Sequence, residues 1–232
     1  PLDYAVHADT THEAAGTYVH AARWTPWLEE HGVKVVTVRA DNPAPVREDW
    51  KGAVMLPAFT LDSHGGQGQV KRQCTNNWKI RPIRHFIRTL LPHPKPGEVE
   101  MWQGISLDEW QRMRFSDVAY ISNIYPLVNS KVTREGCVAW LQAHHLEVPP
   151  KSACTFCPFH SLGGWKRLKQ EGGPDWAEAV AVDQAIRNQR PGHNLYVHPA
   201  RKPLAEAVNI PEDVGAHQME LDMPCDGGVC FV

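Results

Sequence analysis

The sequence predicts an α/β fold with a mainly parallel, doubly wound sheet, followed by a small helical region that carries cysteines. Residues 4–8 (YAVHA) are a short apolar run, and residues 33–38 (VKVVTV) are a β-branched run. Between them the sequence predicts a helix from about Thr11 to Glu30, with His31-Gly32 as its end. Strand, helix and strand at this spacing are typical of a βαβ unit with parallel strands.

The composition is that of an ordinary globular protein. The chain has 232 residues, of which 42% are hydrophobic and 22% charged, with a formal net charge of -2. This charge gives no overall attraction to nucleic acid, and no apolar run is as long as a membrane span. One local basic cluster stands out: Lys71, Arg72, Lys79, Arg81, Arg84 and Arg88.

The remaining elements follow in order. We expect a flexible Gly-rich loop at 62–68, a helix from about Arg81 to Leu91 with Pro82 in its first turn, and strands at 99–105 and 118–124. Helices are predicted at about 133–144, 162–170 and 176–187. We therefore divide the chain into an α/β region, 1–128, and a helical region with an irregular tail, 129–232.

Cysteines provide the strongest local signal. Cys154 and Cys157 have the spacing of a zinc clip, a redox pair or the edge of an iron–sulfur cluster. Cys74 lies far upstream, and Cys137 begins a predicted helix, where the helix dipole favours a thiolate. Cys74 and Cys137 are alternatively buried small apolar residues, and His160 is a possible substitute ligand.

Cys225 and Cys230 are either a separate thiol pair or exposed residues without a role. Because no secretory signal opens the chain, we expect thiols or ligands rather than disulfides, and a cytoplasmic location. The first residue is Pro1 rather than Met, and the chain opens in a strand-like run. We therefore expect a preceding segment.

Several segments together carry a resemblance to a known family. They are 8–13 (ADTTHE), 72–82 (RQCTNNWKIRP), 104–109 (GISLDE) with Arg112, 125–127 (YPL), 133–134 (TR), and 151–158 (KSACTFCP). In this order they resemble PP-loop proteins of the phosphoadenosine-phosphosulfate (PAPS) reductase-like family, and the relatives of DNA-phosphorothioation enzymes more than the assimilatory reductases. The resemblance covers about residues 4–160.

The resemblance implies a sheet of the adenine nucleotide alpha-hydrolase type and a 4Fe–4S cluster, with zinc as the alternative metal. Its ligands would be Cys74, Cys137, Cys154 and Cys157, since Gln73 stands where the pattern has another cysteine. The implied chemistry is sulfur transfer or reduction with ATP or a PAPS-like nucleotide. A nucleic acid and a sulfur-donor protein are the candidate partners, and no membrane partner is expected.

The predicted nucleotide site lies at the carboxyl ends of the first two strands, where parallel sheets bind ligands. Asp9 and Thr10 end the first strand, and Thr10 or Thr11 could cap the helix instead of, or in addition to, this role. Arg72, Lys79 and Arg81 flank Cys74 and suit phosphate or sulfate, with a solvated helix face as the alternative. Trp78 is a weaker candidate for base stacking.

Asp108 and Glu109 are candidates for Mg²⁺ or a polar substrate, or simply an acidic first helical turn. Arg112 and Arg134 are expected to bind anions or form ion pairs.

Two features depart from the family. Its phosphate loop, S-G-G-x-D-S, is not among residues 1–232, and Cys225 and Cys230 lack the Glu-Cys-Gly-x-His context of the reductases. The alternative function is therefore a non-catalytic, zinc-stabilised binding module.

Overall fold

The structure is a computed structural model and describes residues 2–209. It contains nine strands and seven α-helices within that range. The strands are β1 Tyr4–Asp9, β2 Lys34–Arg39, β3 Val46–Arg47, β4 Ala53–Val54, β5 Phe59–Asp62, β6 Gln67–Gln69, β7 Val99–Trp102, β8 Ile121–Ile124 and β9 His193–Tyr196. The helices are α1 Ala15–Glu30, α2 Arg81–Leu90, α3 Pro126–Asn129, α4 Arg134–Ala143, α5 Leu162–Glu171, α6 Gly173–Ile186 and α7 Leu204–Ala207.

The predicted βαβ unit at the start of the chain is confirmed. β1 and β2 pair in parallel, from Tyr4 opposite Lys34 to Asp9 opposite Arg39. The helix between them begins at Ala15 rather than near Thr11. The reason is that Glu13 forms an antiparallel bridge with Cys154, which holds this segment in an extended conformation.

The sheet is smaller than predicted. β7 and β8 form a second parallel pair, but β1–β2 and β7–β8 are separate two-stranded sheets among the described residues. The other pairs are antiparallel: β3 with β4, and β5 with both β6 and β9. The fold is therefore a mixture of helices and strands with small parallel sheets, and the doubly wound arrangement remains a prediction.

Two apolar clusters hold these elements together. In the smaller one, Ile83 and Ile87 of α2 pack with Ala8 of β1 and Ile121 of β8, so both parallel pairs contact the same helix. The larger cluster surrounds the fully buried Trp165 and includes Leu56 and Phe156. Their burial supplies the main driving force for folding.

The larger cluster includes residues on both sides of the predicted division at residue 128. Met55 and Trp78 belong to it together with Ile186 and Leu195. The pairing of β5 with β9 also joins the two regions. The two predicted regions therefore share a core.

Pro82 lies in the first turn of α2, as expected. A π-helical segment, Thr75–Ile80, leads into that helix, and Cys74 stands at its start. No helix in the range 2–209 is long and apolar enough to cross a membrane.

Asp183 offers a direct test of the core, because its carboxylate is only 1% exposed. It accepts hydrogen bonds from the backbone N–H groups of Val197 and Leu204, each 3.0 Å long, and pairs with Arg187. We expect Asp183→Ala to lower the free energy of unfolding by about 3 kcal/mol or more, because it leaves two buried donors and a cation unpaired.

Urea unfolding followed by circular dichroism measures this loss. The matched control is Glu171→Ala, which removes an exposed ion pair with Arg167 and should cost less than about 0.5 kcal/mol. Equal losses for the two variants would show that Asp183 does not organise the core.

Candidate functional site

The candidate site lies where the loop after β1 meets the Cys154–Cys157 segment. The N–H of Thr155 donates to the carbonyl of His12 (2.8 Å), and the N–H of Ala14 donates to the carbonyl of Ala153 (3.2 Å). With the bridge between Glu13 and Cys154, these bonds join two segments that are about 140 residues apart in sequence. The carboxyl end of β1 and the cysteine segment therefore form one unit.

Cys74, Cys154 and Cys157 are brought together here. The N–H of Cys157 donates to the carbonyl of Cys154 (3.0 Å), which closes a turn between the two cysteines. Cys74 and Cys154 both pack against the larger apolar cluster, and the N–H of Cys74 donates to the carbonyl of Met55. Cys74 and Cys157 are close enough to act electrostatically on Cys154.

Cys154 is half-buried, and its thiol lies 3.4 Å from Thr10 Oγ1, with which it shares a hydrogen bond. Burial, reinforced by the neighbouring Cys157 and Cys74, raises the pKa of Cys154 to about 12. The hydrogen bond from Thr10 and the positive charge of Lys79 act in the opposite direction. Despite these two effects, Cys154 of the metal-free protein is a neutral thiol at neutral pH.

The contacts that gather these three cysteines do not include Cys137, which lies in the first turn of α4. Its predicted position at a helix N-terminus is confirmed, and Thr133 caps that helix by accepting the N–H of Gly136 (3.1 Å). His160, the possible substitute ligand, instead donates from Nε2 to the carbonyl of Cys154 (2.9 Å) and packs on Trp165. His160 thus supports the turn through this nitrogen.

Asp9 connects the ends of β1 and β2. One carboxylate oxygen accepts the N–H of Thr11 (2.7 Å) and the hydroxyl of Tyr18 (3.0 Å), and the other accepts Arg39 Nε (2.7 Å). Burial alone would raise the pKa of Asp9, but these hydrogen bonds outweigh it and lower the pKa below its usual value. Arg39 remains 64% exposed, so this edge presents a fixed positive charge to solvent.

The expected cap of α1 by Thr10 or Thr11 is wrong. The N-cap residue is Ala14, without a side-chain hydrogen bond, and Thr11 adopts a left-handed conformation with φ of 64°. Thr10 is buried and accepts the N–H of His12 (3.4 Å) in addition to contacting Cys154. The physical reason is the strand-like bridge to Cys154, which delays the start of the helix.

Glu13 is the residue that the sequence did not single out, although it belongs to the ADTTHE segment. Its side chain is 2% exposed and lies between Lys79 Nζ (3.3 Å), His7 Nε2 (3.8 Å) and the hydroxyl of Ser152 (3.3 Å). Burial would raise the pKa of Glu13, but His7 and Lys79 lower it overall. Glu13 therefore fixes Lys79 beside the cysteine segment.

The other two predicted basic residues differ in their surroundings. The Arg72 guanidinium carbon lies 5.1 Å from the ring centre of Phe159, just after the cysteine pair. Arg81 is exposed and donates to Asn77 Oδ1 (3.4 Å). The site thus includes Arg72 and Lys79, whereas Arg81 faces solvent at the start of α2.

His12 and Glu178 were also missed. The ring of His12 donates from Nδ1 to Glu178 Oε1 (2.7 Å), and the Thr155 hydroxyl donates to the other oxygen of Glu178 (2.6 Å). Glu178 on α6 therefore holds the loop and the cysteine segment together. The histidine had a signal, because it lies in the ADTTHE segment, but nothing in the local sequence marks Glu178.

Trp78 is not available for base stacking. Its side chain is 2% exposed and contacts the rings of Phe156 and His12 in the core. Its position one turn after Cys74 puts it on the inner face of the helical segment, where apolar burial dominates. The prediction of a stacking role for Trp78 is therefore wrong.

Asp108 and Glu109 have protein partners. Asp108 accepts the N–H of Arg134 (2.8 Å), and Glu109 pairs with Arg112 (2.6 Å). Arg112 therefore forms an ion pair, which is one of the two roles predicted for it from the sequence. Both carboxylates are thus accounted for by contacts within the protein, and Mg²⁺ binding there remains a prediction.

The Gly-rich segment expected to be a flexible loop is a hairpin connection between β5 and β6. One carboxylate oxygen of Asp62 accepts the N–H groups of His64 (2.8 Å) and Gly66 (2.7 Å). A phosphate-binding loop needs such N–H groups free to face the anion. This segment therefore does not replace a phosphate loop.

The donor set suits a soft metal in part. If the three neighbouring thiols lost their protons, the negative charges of the thiolates would repel one another. A bound cation would offset this repulsion and stabilise the thiolates. Among residues 2–209, however, no group of three or more His, Cys, Asp and Glu side chains has the arrangement of a metal site. The three cysteines thus fit a metal in identity and neighbourhood, but their side chains would have to reorient to bind it.

No protein-family model matches the chain, and neither a curated protein nor a solved structure matches it. Cys225 and Cys230 lie outside the described residues.

The raised pKa of Cys154 predicts low reactivity in metal-free protein. Because the thiolate is the nucleophile, we expect alkylation of Cys154 by iodoacetamide at about pH 8 to be ~100-fold or more slower than in urea-unfolded protein. Peptide mapping by mass spectrometry measures each cysteine separately. Cys137 is the internal control, and its rate should change much less; comparable protection of the two would contradict the buried environment assigned to Cys154.

The lowered pKa of Asp9 predicts a pH-dependent stability. The folded-state pKa lies below the unfolded value of about 3.9, so the contribution of Asp9 is complete well above that pH and is lost as the pH falls through the folded pKa. We expect Asp9→Asn to cost about 1–2 kcal/mol at neutral pH, and this cost should shrink below about pH 4.

Urea unfolding between about pH 7 and 3 tests this. Asp41→Asn, at an exposed position just beyond β2, is the control and should cost much less than Asp9→Asn at neutral pH. If the cost of Asp9→Asn in unfolding free energy is constant across the range, the hydrogen-bond partners of Asp9 do not stabilise its ionised carboxylate.

Proposed function

We propose that the protein is a nucleotide-dependent sulfur-transfer or sulfonucleotide-reducing enzyme of the PAPS reductase-like type. The observation that carries the proposal is the meeting of Cys74, Cys154 and Cys157 with Thr10 and Lys79 at the carboxyl end of β1. Ligands of parallel sheets bind at this edge. The ordered motifs of the PAPS reductase-like family add support, since the same residues belong to them.

Cys74, Cys154 and Cys157 would hold a 4Fe–4S cluster, with zinc as the alternative. Bound there, the cluster would supply electron transfer or a coordination position for sulfur. A metal with three protein ligands keeps one position for a substrate atom, whereas a structural metal has four. Cys137 is the proposed fourth ligand: with it the cluster would have the four thiolates that are usual for electron-transferring 4Fe–4S clusters, and without it one iron would be left for a substrate atom.

The remaining residues would bind and orient an anionic substrate. Lys79 is held by the buried carboxylate of Glu13, and Arg72 lies against Phe159 beside the cysteine pair. Asp9 fixes Arg39 at the same edge. Fixed cations of this kind suit the phosphate or sulfate groups of ATP or a PAPS-like nucleotide, and Arg81 would meet the part of the nucleotide or of a nucleic acid that extends towards α2.

The second candidate is a zinc-stabilised binding module without catalysis. One observation favours it: the cysteine segment is part of the core, where Thr155 and Phe156 are each 1% exposed and Glu178 ties the segment to α6. A metal at such a place could serve to close the fold. This module would bind neither ATP nor PAPS.

The test is anaerobic purification, followed by iron, sulfide and zinc analysis and an absorption spectrum. We expect about four irons and four sulfides per chain, lost in Cys74→Ser, Cys154→Ser and Cys157→Ser. Cys137→Ser distinguishes the two ligand sets. If this variant retains iron, the cluster has three cysteine ligands; if it loses iron, Cys137 is the fourth ligand. His64→Gln, at an exposed position in the connection between β5 and β6, is the control and should retain all metal.

Calorimetric titration with ATP and with PAPS then separates the two functions. Saturable binding that weakens at least tenfold in Lys79→Gln supports the enzyme. Colourless protein with one tight zinc and no nucleotide binding supports the module. Protein that is free of metal after anaerobic purification contradicts both.

A further inference from the structure

A cleft lies at the carboxyl ends of the second parallel pair, and none of the four described cysteines lines it. Asn123 of β8 and Gln103, directly after β7, line the cleft together with Ile83 of α2. Ligands of parallel sheets bind at such ends. At about 60 Å³ the cleft is far smaller than the ~300 Å³ of pockets that enclose a whole ligand, so only the edge of a larger group enters it.

Gln103 is the unusual residue of this cleft. It is 4% exposed, yet its side-chain amide has no hydrogen-bond partner among residues 2–209. The amide is reached from the cleft rather than enclosed. Asn123 donates from Nδ2 to the carbonyl of Arg114 (2.9 Å), and in the described range its Oδ1 has no partner. Because buried amides are almost always hydrogen-bonded, a ligand edge that carries both donors and acceptors suits this place.

An aromatic ring stands at the mouth of the cleft. Phe115 lines the cleft and is nevertheless fully exposed, more so than any other large apolar side chain in the range 2–209. A single exposed Phe is ordinary by itself. Beside an unpartnered amide, however, it offers the face on which an unstacked nucleobase can lie, while the amide offers hydrogen bonds to the edge of that base.

The surroundings of the cleft are basic although the chain as a whole is not. Segments 81–91 and 109–117 contain five arginines and two acidic residues. Glu109 pairs with Arg112, and Asp117 pairs with Arg84. The other three arginines form no ion pair within the described part of the chain: Arg81, Arg88 and Arg114. Their charges remain available for an anionic ligand.

These arginines extend the basic surface beyond the cleft. Arg81, Arg84 and Arg88 lie along one face of α2, because helix residues three and four apart are neighbours, and Arg84 lines the cleft. Seven helical residues span about 10 Å, so a ligand with several phosphates fits this face better than a mononucleotide does. Arg114 Nη1 donates to two carbonyl groups of its own loop (2.7 and 2.8 Å), which leaves its other N–H groups for a phosphate.

We propose that this surface binds single-stranded nucleic acid. One base stacks on Phe115 with its edge on Gln103, and the backbone phosphates lie on Arg114 and along α2. The bases of a duplex are stacked and paired, so they do not reach these groups. The proposal deepens the proposed function, in which nucleic acid is a candidate partner, and rests on that function for the purpose of the binding. Because binding itself requires neither metal nor ATP, each proposal can fail without the other.

Fluorescence anisotropy of a labelled oligothymidylate of about 12 nucleotides, titrated with the full chain at low salt, measures this binding. Thymine carries both a donor and acceptors on its pairing edge. We expect saturable binding at least ~10-fold tighter than that of a duplex of the same length or of thymidine monophosphate. The logarithm of the affinity should fall with the logarithm of the salt concentration with a slope of about −2, because three unpaired arginines displace counterions. Oligouridylate of the same length shows whether DNA or RNA is the preferred strand.

Three variants assign the contacts. Phe115→Ala should weaken binding roughly tenfold without changing the salt slope, and Arg114→Gln should reduce the slope by about 0.7. Gln103→Leu should weaken binding about three- to tenfold without lowering the free energy of unfolding, whereas loss of a structural amide would lower it. Trp102→Ala is the control, because Trp102 is 50% exposed and points to the face of β7 opposite Met101, which lines the cleft. Its affinity should equal that of the wild type.

The proposal is overturned by an absence of saturable binding at low salt, or by equal affinity for the duplex or for thymidine monophosphate. Unchanged affinity of Phe115→Ala overturns it as well, and this variant should fold because the ring is fully exposed. Binding that depends on Phe115 but goes to anionic phosphatidylserine vesicles, and not to the oligonucleotide, would instead assign the surface to a membrane.

Discussion

The bridge between Glu13 and Cys154 is the interaction on which the site depends. It brings the loop after β1 against the cysteine segment, and the backbone bonds of His12 with Thr155 and of Ala14 with Ala153 extend it. Because it keeps residues 10–14 extended, it also delays the start of α1. The same bridge turns the Glu13 side chain towards Lys79, so the metal-ligand candidates and the cation beside them share one support.

The fold was predictable where local pattern decides it. The β-branched run of β2, the apolar run of β1 and the position of Pro82 are visible in short windows, and the parallel pairing and the start of α2 were obtained correctly. The pairing of β5 with β9 was not predicted, because the two strands are separated by about 130 residues and each contains only four residues. No periodicity in a window of that length identifies such a partner.

The site was predictable in its residue types more than in its contacts. The spacing of Cys154 and Cys157 and the motif around Cys74 identified three thiols that the fold brings together. The two wrong predictions, base stacking by Trp78 and helix capping by Thr10, failed because both residues are buried. Trp78 lies in the core because its helical face is apolar, and Thr10 contacts Cys154. Glu178 could not be found from the sequence, since a distant helix supplies it to complete hydrogen bonds made necessary by the bridge.

The central claim is that Cys74, Cys154 and Cys157 hold one metal centre at the carboxyl end of β1. X-ray absorption at the metal edge of anaerobically purified protein tests it most directly, because it counts the sulfur neighbours of the metal. We expect a first shell dominated by sulfur at about 2.3 Å, and we expect Cys154→Ser protein to contain no bound metal. A first shell made only of oxygen and nitrogen would contradict the claim.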